Sequence, residues 1–310
     1  MIADLLWIAA GLVLLVLGGD LLVKGAVNLA LRLGVTPLVV GLTVVAFGTS
    51  APELIVSLSA ALGGSTDIAV GNVVGSNIAN VLVILGTSAV VAGIPTQDVD
   101  VRSSWMKMIG ASMVLILLAL TGEIGRLEGI LLLAGLAFVL WRQLRSGRAE
   151  GPGTVEGAQL GARRSRIALW LISGLVALPL GAQLLVSGAS DIARAIGISE
   201  TVIGLTLVAI GTSLPELAAT AAAARRGQAA VALGNVVGSN LFNILAILGI
   251  TATVAPLPIA PRIVTFDLWV MLATSLALWP FLFRGLAISR LVGAGLLALY
   301  AAYVAVLILT

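Results

Sequence analysis

The chain of 310 residues is 60% hydrophobic and only 10% charged, with a formal net charge of +3 and a mean hydropathy of +1.16. About a quarter of the residues of a soluble domain are charged, so a water-soluble globule is excluded and lipid must surround most of this chain. It contains no Cys and no His, which excludes a disulfide framework, a thiolate metal site, a catalytic thiol and the usual zinc ligands and proton shuttle. Any metal site must therefore be made of oxygens, the ligands of hard cations such as sodium, calcium, magnesium and manganese.

From the N-terminus, Met1 to Asp4 lack the positive n-region of a signal peptide and no small-residue cleavage site follows, so the first apolar run is expected to be a retained span. Apolar segments then occupy 5–23, 37–62, 68–92, 105–121, 127–143, 167–189, 201–224, 229–254, 266–283 and 287–308. The fold class expected is all-α integral membrane, with ten transmembrane helices. The polar stretch 142–166 carries Arg142, Arg145, Arg148, Gly151, Pro152, Gly153, Arg163, Arg164 and Arg166, and reads as a linker. It divides the chain into a first five-helix unit (1–144), a linker (145–166) and a second five-helix unit (167–310).

With the N-terminus outside, every Lys and Arg except Arg126, Arg194 and Arg262 falls on the inner side. The positive-inside rule then puts both termini outside and the linker in the cytoplasm of a multi-pass protein of the cell (inner or plasma) membrane. Trp7, Trp105, Trp141, Trp170, Trp269 and Trp279 lie near expected span ends, as an interfacial aromatic belt would require. The basic residues are spread over short loops rather than one soluble face, so they report topology and not nucleic-acid binding.

The chain repeats itself. Gly41-Leu-Thr-Val-Val-Ala-Phe-Gly-Thr-Ser-Ala-Pro-Glu-Leu54 returns 163 residues later as Gly204-Leu-Thr-Leu-Val-Ala-Ile-Gly-Thr-Ser-Leu-Pro-Glu-Leu217. The same offset relates Gly71-Asn-Val-Val-Gly-Ser-Asn-Ile-Ala-Asn80 to Gly234-Asn-Val-Val-Gly-Ser-Asn-Leu-Phe-Asn243, and Gly18–Ala26 to Gly181–Ala189. Because each unit holds an odd number of spans, the second enters the membrane in the opposite sense. This is the inverted-repeat plan of secondary transporters, with broken helices at the ion site.

Glu53 and Glu216 sit in mid-span, where an ionised side chain costs at least about 2.5 to 3.5 kcal/mol, and nothing basic lies near either in sequence. Their expected partner is a bound cation or a proton. Thr49 and Ser50 precede Glu53 by four and three residues, Thr212 and Ser213 precede Glu216 likewise, and each trio shares a helical face. Pro52 and Pro215 each remove a backbone N–H and should kink the helix and free the carbonyls of Gly48 and Gly211. In the spans that follow, Asn72, Ser76 and Asn80, and again Asn235, Ser239 and Asn243, form polar stripes. Gly71, Gly75, Gly234 and Gly238 read as devices for close helix approach. Asp20 reads as the remaining acid near a span; its repeat counterpart is Gln183 and its expected role is interfacial. The linker arginines read as topology determinants rather than an anionic-lipid site.

On the paired G-T-S-x-P-E segments (Gly48–Glu53, Gly211–Glu216) and the paired G-N-V-V-G-S-N segments (Gly71–Asn77, Gly234–Asn240), the chain resembles the calcium/cation antiporter superfamily, and within it the prokaryotic sodium/calcium exchangers. The resemblance implies that Glu53 and Glu216 coordinate calcium with the backbone carbonyls of Thr49 and Thr212, while sodium uses overlapping oxygens. Further ligands would be Ala46 and Ala209 through their carbonyls, with Ser50, Ser213, Ser76, Ser239, Asn80 and Asn243. It also implies that the first and sixth spans slide across the other eight. One departure is that exchangers of this group often carry aspartate at a position equivalent to Asn80 or Asn243, and both are Asn here. The site then has two formal negative charges, which one calcium or two sodium ions would neutralise.

The function expected is exchange of Na+ for Ca2+ by alternating access, with no enzymatic activity and no prosthetic group. The expected partners are the transported Ca2+ and Na+ and the lipid bilayer, with no nucleic acid and no obligate protein partner. A proton-coupled exchanger of Ca2+ or another divalent cation with the same fold is one alternative, and a passive cation channel filtered by acidic side chains is another. An intramembrane carboxylate enzyme would leave the surrounding Ser, Thr and Asn oxygens unexplained.

Overall fold

The computed structural model describes residues 2–97, 99–150, 162–197 and 209–309. Its helices are α1 (Ile2–Leu33), α2 (Pro37–Thr49), α3 (Ala51–Leu62), α4 (Thr66–Ala92), α5 (Arg102–Ala119), α6 (Arg126–Glu150), α7 (Arg164–Ala195), α8 (Ala209–Thr212), α9 (Leu214–Arg225), α10 (Ala229–Val254), α11 (Ile263–Arg284) and α12 (Arg290–Leu309). Two short strands, β1 (Glu123–Ile124) and β2 (Leu257–Pro258), pair antiparallel. Among the described residues eight helices are long and apolar enough to cross a membrane, and nine with the bent pair α2 and α3. The segment expected at 201–224 is represented by α8 and α9; residues 201–208 lie outside the described residues.

Two observations refine the sequence boundaries. Helix α6 continues to Glu150 and α7 begins at Arg164, so the helices run into both ends of the expected linker. Helices α1 and α7 are each 32 residues long, or about 48 Å at 1.5 Å per residue, against a hydrocarbon core of about 30 Å.

Burial separates an inner from an outer set of helices. Every residue in the apolar window of α10 is buried, but only 11% of those in α12. Helix α12 and the outer faces of α1, α6 and α7 expose Leu, Ile and Val, as surfaces in contact with lipid tails do. Helix α10 comes close to α2 because it has no side chain where they touch: a methyl on Gly234 would lie 2.9 Å from the Leu38 carbonyl oxygen, and one on Gly238 2.7 Å from that of Leu42. The packing role expected of these two glycines is thus accounted for. Nothing among the described residues lies within 4 Å of a methyl on Gly71 or Gly75. The segment equivalent to Leu38 and Leu42 in the second repeat, around Thr201 and Leu205, falls outside the described residues.

Helices α1 and α7 pack antiparallel along a seam of glycines. Gly11, Gly18 and Gly25 recur every seventh residue, and so do Gly174, Gly181 and Gly188, each 163 residues after its counterpart. A methyl on Gly11 would sit 2.6 Å from the carbonyl oxygen of Gly181, one on Gly174 2.7 Å from the Leu22 nitrogen, and one on Gly188 2.5 Å from the Asp4 carbonyl oxygen. Only glycine lets the two backbones approach this closely.

The duplication extends to the turns. Gly64 (φ 81°) ends α3 and Gly227 (φ 68°) follows α9, each in the left-handed conformation that glycine adopts without strain. After each, an amide reaches back to the helix: Ser65 N–H to the Ala60 carbonyl at 2.8 Å, and Gln228 N–H to the Ala223 carbonyl at 2.8 Å. The aromatic belt needs one correction. Trp7, Trp141, Trp269 and Trp279 are exposed, but Trp105 and Trp170 are buried. Trp105 donates its indole N–H to the Ser275 carbonyl at 2.8 Å, and Trp170 lies beneath the Lys24 ammonium, 4.3 Å from the ring centre.

Candidate cation site

The two Pro-Glu segments break their helices as expected, and the break falls at the serine. Ser50 leaves the helical conformation (φ −81°, ψ 6°), and α3 restarts at Ala51 with Pro52 in its first turn, bent by 45° from α2. Ser213 does the same (φ −91°, ψ 2°) between α8 and α9, with Pro215 in the first turn of α9. Proline is favourable there, because its missing N–H would have no intrahelical acceptor. Glu53 and Glu216 consequently lie in the first turns of α3 and α9, where the helix dipole favours negative charge.

Both carboxylates are buried, Glu53 at 1% and Glu216 at 2% exposure. No Lys or Arg among the described residues forms an ion pair with either. Each is held by the serine of the other repeat: Ser50 donates to Glu216 Oε1 at 2.9 Å, and Ser213 donates to Glu53 Oε1 at 3.3 Å. The second oxygen of each, Glu53 Oε2 and Glu216 Oε2, is buried without a hydrogen-bond partner, as are Ser239 Oγ and Asn243 Oδ1. These four, one oxygen from each carboxylate and two neutral oxygens from α10, are of the type that a hard cation takes as ligands.

The polar stripes of α4 and α10 serve these broken helices. Asn72 Nδ2 donates to the Glu53 carbonyl at 3.3 Å and to Ser57 Oγ at 2.9 Å; Asn235 Nδ2 donates to the Glu216 carbonyl at 3.4 Å and to Thr220 Oγ1 at 2.9 Å. Thr49 Oγ1 is shared between Asn235 Oδ1 and the Ala46 carbonyl, both at 3.3 Å. Ser76, Ser239, Asn80 and Asn243 are all buried. Ala209 and Thr212 both lie in α8, which ends immediately before Ser213. Helices α4 and α10 widen to π-helical turns at Asn80–Leu85 and Asn243–Ile247, each beginning at the candidate ligand. Such widened turns are frequent at functional sites because they redirect side chains and loosen backbone pairing.

Three groups escaped the sequence reading. Asn77 and Asn240 lie within the quoted motif but off the four-residue stripe; both are 1% exposed and bond across the centre of the molecule to Asn243 and Asn80. Asp20 is not the only other acid near a span: Asp267, at 7% exposure, accepts the Tyr303 hydroxyl at 2.9 Å and lies 3.9 Å from Arg262. An acid at the head of the apolar run 266–283 was the signal for it. Asp20 itself is held by Arg226 through a two-bond pair at 2.9 and 2.7 Å that joins α1 to the end of α9.

Buried paired carboxylates on two broken helices, with neutral oxygens around them and glycine-seamed long helices alongside, define a membrane cation transporter. The model of the family described as sodium/calcium exchanger protein matches residues 4–145 and 166–309, and the chain belongs to that family. It is 35% identical to the sodium/calcium exchanger MaX1 of Methanosarcina acetivorans, over 96% of both chains. It is 39% identical to the inner membrane protein YrbG of Escherichia coli, over 86% of this chain and 84% of that one. Among solved structures it is similar to the sodium-calcium exchanger NCX_Mj soaked with zero Na+ and Ca2+, with a TM-score of 0.85, 33% identity and 99% of each chain covered. The family is one of multi-pass membrane transporters and not of enzymes, and its ions, Na+ and Ca2+, are substrates rather than resident cofactors. These matches favour sodium/calcium antiport over the proton-coupled and channel alternatives.

Proposed function

We propose that the protein exchanges Na+ for Ca2+ across the cell membrane by alternating access at one oxygen cage, formed by two inverted five-helix repeats and ten spans in all. The repeats are 1–144 and 167–310, and 145–166 joins them in the cytoplasm. Glu53 and Glu216 are the charged ligands. Thr49, Thr212, Ala46 and Ala209 contribute carbonyls, and Ser50, Ser213, Ser76, Ser239, Asn80 and Asn243 contribute side-chain oxygens.

The observation that carries this reading is the reciprocal pair at the centre: each buried carboxylate is held by the opposite repeat's serine and retains one oxygen without a protein partner. Two negative charges match one Ca2+ or two Na+, so either load leaves the cage neutral in a medium that penalises net charge. Shared ligands then make the ions compete, and competition couples their movements. The glycine seam makes α1 and α7 one body, longer than the bilayer core, that can shift past the cage and remain inserted.

Termini outside and loops 93–101 and 285–289 inside agree with the pairings between loops. The β1–β2 pair requires loops 120–125 and 255–262 to share one side of the membrane, and the Ile94–Ile288 bridge requires the same of loops 93–101 and 285–289. The test is equilibrium binding of radioactive calcium to the purified protein at rising sodium. Complete displacement by sodium, with a midpoint that moves up as calcium is raised, is expected. Calcium binding indifferent to sodium but lost on mild acidification would replace sodium by the proton as counter-ion.

A further inference from the structure

Asn80 and Asn243 can serve a cation only with their amide oxygens, because an amide N–H2 turned to the site would repel it. Which end faces the site is decided by a chain of hydrogen bonds that begins at a backbone carbonyl. The carbonyl of Asn240 can only accept, so Asn77 turns its Nδ2 to it, at 3.5 Å. Asn77 Oδ1 is thereby left to accept from Asn243 Nδ2, at 3.0 Å. With its N–H2 engaged, Asn243 is left with Oδ1 free, and that oxygen is buried without a partner.

The second repeat answers in kind. The carbonyl of Asn77 accepts from Asn240 Nδ2 at 3.3 Å, and Asn240 Oδ1 accepts from Asn80 Nδ2 at 2.9 Å. Turning Asn77 or Asn240 over would set oxygen against oxygen at one end and N–H2 against N–H2 at the other, and turning Asn80 or Asn243 over would set oxygen against oxygen. The sense of the chain is fixed by two backbone carbonyls, which cannot change role.

We infer that Asn77 and Asn240 are positioning residues for ion selection: each holds the ligand amide of the opposite repeat, Asn243 and Asn80 respectively, with its oxygen toward the cation. This rests on the assignment of Asn80 and Asn243 as ligands above. It gives the last Asn of each G-N-V-V-G-S-N segment a role that the four-residue stripe does not, and it ties the two halves of the cage together. Outer partners of this kind typically cost 10- to 100-fold in metal affinity when removed, through orientation alone.

The inference is tested by cross-rescue in reconstituted vesicles, reading the KM for Ca2+ and the maximal rate of sodium-driven uptake. Asn77→Ala is expected to raise the KM about tenfold or more, with a smaller effect on maximal rate. An aspartate at 243 has no wrong end, since both its oxygens accept. In an Asn243→Asp background, therefore, adding Asn77→Ala should change the KM by no more than about twofold, the scatter of independent substitutions. In an Asn80→Asp background the full loss should persist. Asn240→Ala should show the opposite pattern, rescued by Asn80→Asp and not by Asn243→Asp. Asn77→Leu, with the same branched shape and no hydrogen bonds, repeats the test without opening a cavity.

Equal loss in both backgrounds, or equal rescue by both aspartates, would mean a merely structural role and overturn the inference. If Asn80→Ala and Asn243→Ala leave the KM of the parent chain unchanged, the ligand assignment fails and the inference fails with it. If those two raise the KM and the pairwise pattern is missing, only the inference fails.

Discussion

Ser50 and Glu216 stand 166 residues apart in sequence and 2.9 Å apart in space, the hydroxyl of one repeat donating to the carboxylate of the other. Ser213 and Glu53 form the mirror of this contact. Neither half of the chain completes its own carboxylate, so the site belongs to the junction and any load it takes is sensed by both halves at once.

Neutralising one carboxylate should therefore disable the whole cage. Glu53→Gln and Glu216→Gln each keep shape and remove one of the two charges. Both are expected to reduce sodium-driven calcium uptake by about 100-fold or more, at the scale of losing a directly liganding charge rather than its supporting partner. Both variants should still fold, because removing a buried charge relieves a cost of about 2.5 kcal/mol or more on insertion scales. Initial rates of uptake, with size-exclusion profiles of the detergent-purified variants, check both parts.

Calcium should stabilise the fold through the same residues. At a concentration 100-fold above its Kd, a ligand that binds only the native state adds about 2.7 kcal/mol. Thermal unfolding of the parent chain is expected to shift upward with calcium and to shift back when sodium is added in excess. Glu53→Gln should show neither shift.

The glycine seam makes a prediction about packing. Gly11→Ala places a methyl 2.6 Å from the Gly181 carbonyl oxygen, where neither backbone can yield without separating α1 from α7. Overpacking of this kind costs about 1 to 3 kcal/mol. Gly295→Ala, on the exposed face of α12 with nothing within 4 Å among the described residues, should be neutral or slightly stabilising. Melting temperatures of the two variants in the same detergent decide it.

The pair between Asp20 and Arg226 is bidentate but both side chains are more than two-fifths exposed. An exposed pair contributes about 0 to 1 kcal/mol and is screened by salt. Asp20→Asn should shift the unfolding midpoint by little, and less still at high ionic strength. A large shift in the melting temperature would mean that α1 is anchored to α9 mainly here and not at Gly19, where a methyl would lie 2.7 Å from the Ala218 carbonyl oxygen.

Because the chain has no Cys, single cysteines report topology without background labelling. Glu123→Cys, in β1, should react with an impermeant maleimide added outside intact cells. Gln97→Cys, in the loop bridged to Ile288, should react only after the membrane is opened. Reversed labelling would invert the proposed orientation.

Much of this molecule was legible in its sequence because the determining features are local. The break before Pro52, the paired Glu53 and Glu216, and the stripes Asn72 and Asn235 follow from residue type and spacing, and the 163-residue repeat doubled each signal. What could not be read was pairing across the repeat. Four-residue periodicity selected Asn80 and Asn243 but passed over Asn77 and Asn240, which face the other repeat and not the broken helix beside them. The π-helical turns that begin at Asn80 and Asn243 shift the phase of the helix beyond them in a way that a 3.6-residue period does not anticipate. Asp267 was missed because its partner, Tyr303, comes from the last helix and no local pattern joins them. The burial of Trp105 and Trp170 is likewise a matter of which helix end meets which, where composition gives only distance from the membrane centre.

The most direct test of the shared cage is radioactive calcium uptake by vesicles loaded with sodium and diluted into sodium-free buffer, for the parent chain, Glu53→Gln and Glu216→Gln side by side. Uptake that requires internal sodium, collapses when external sodium is restored, and is lost in both variants is the result expected. Uptake that proceeds without a sodium gradient, or survives in either variant, would contradict the account.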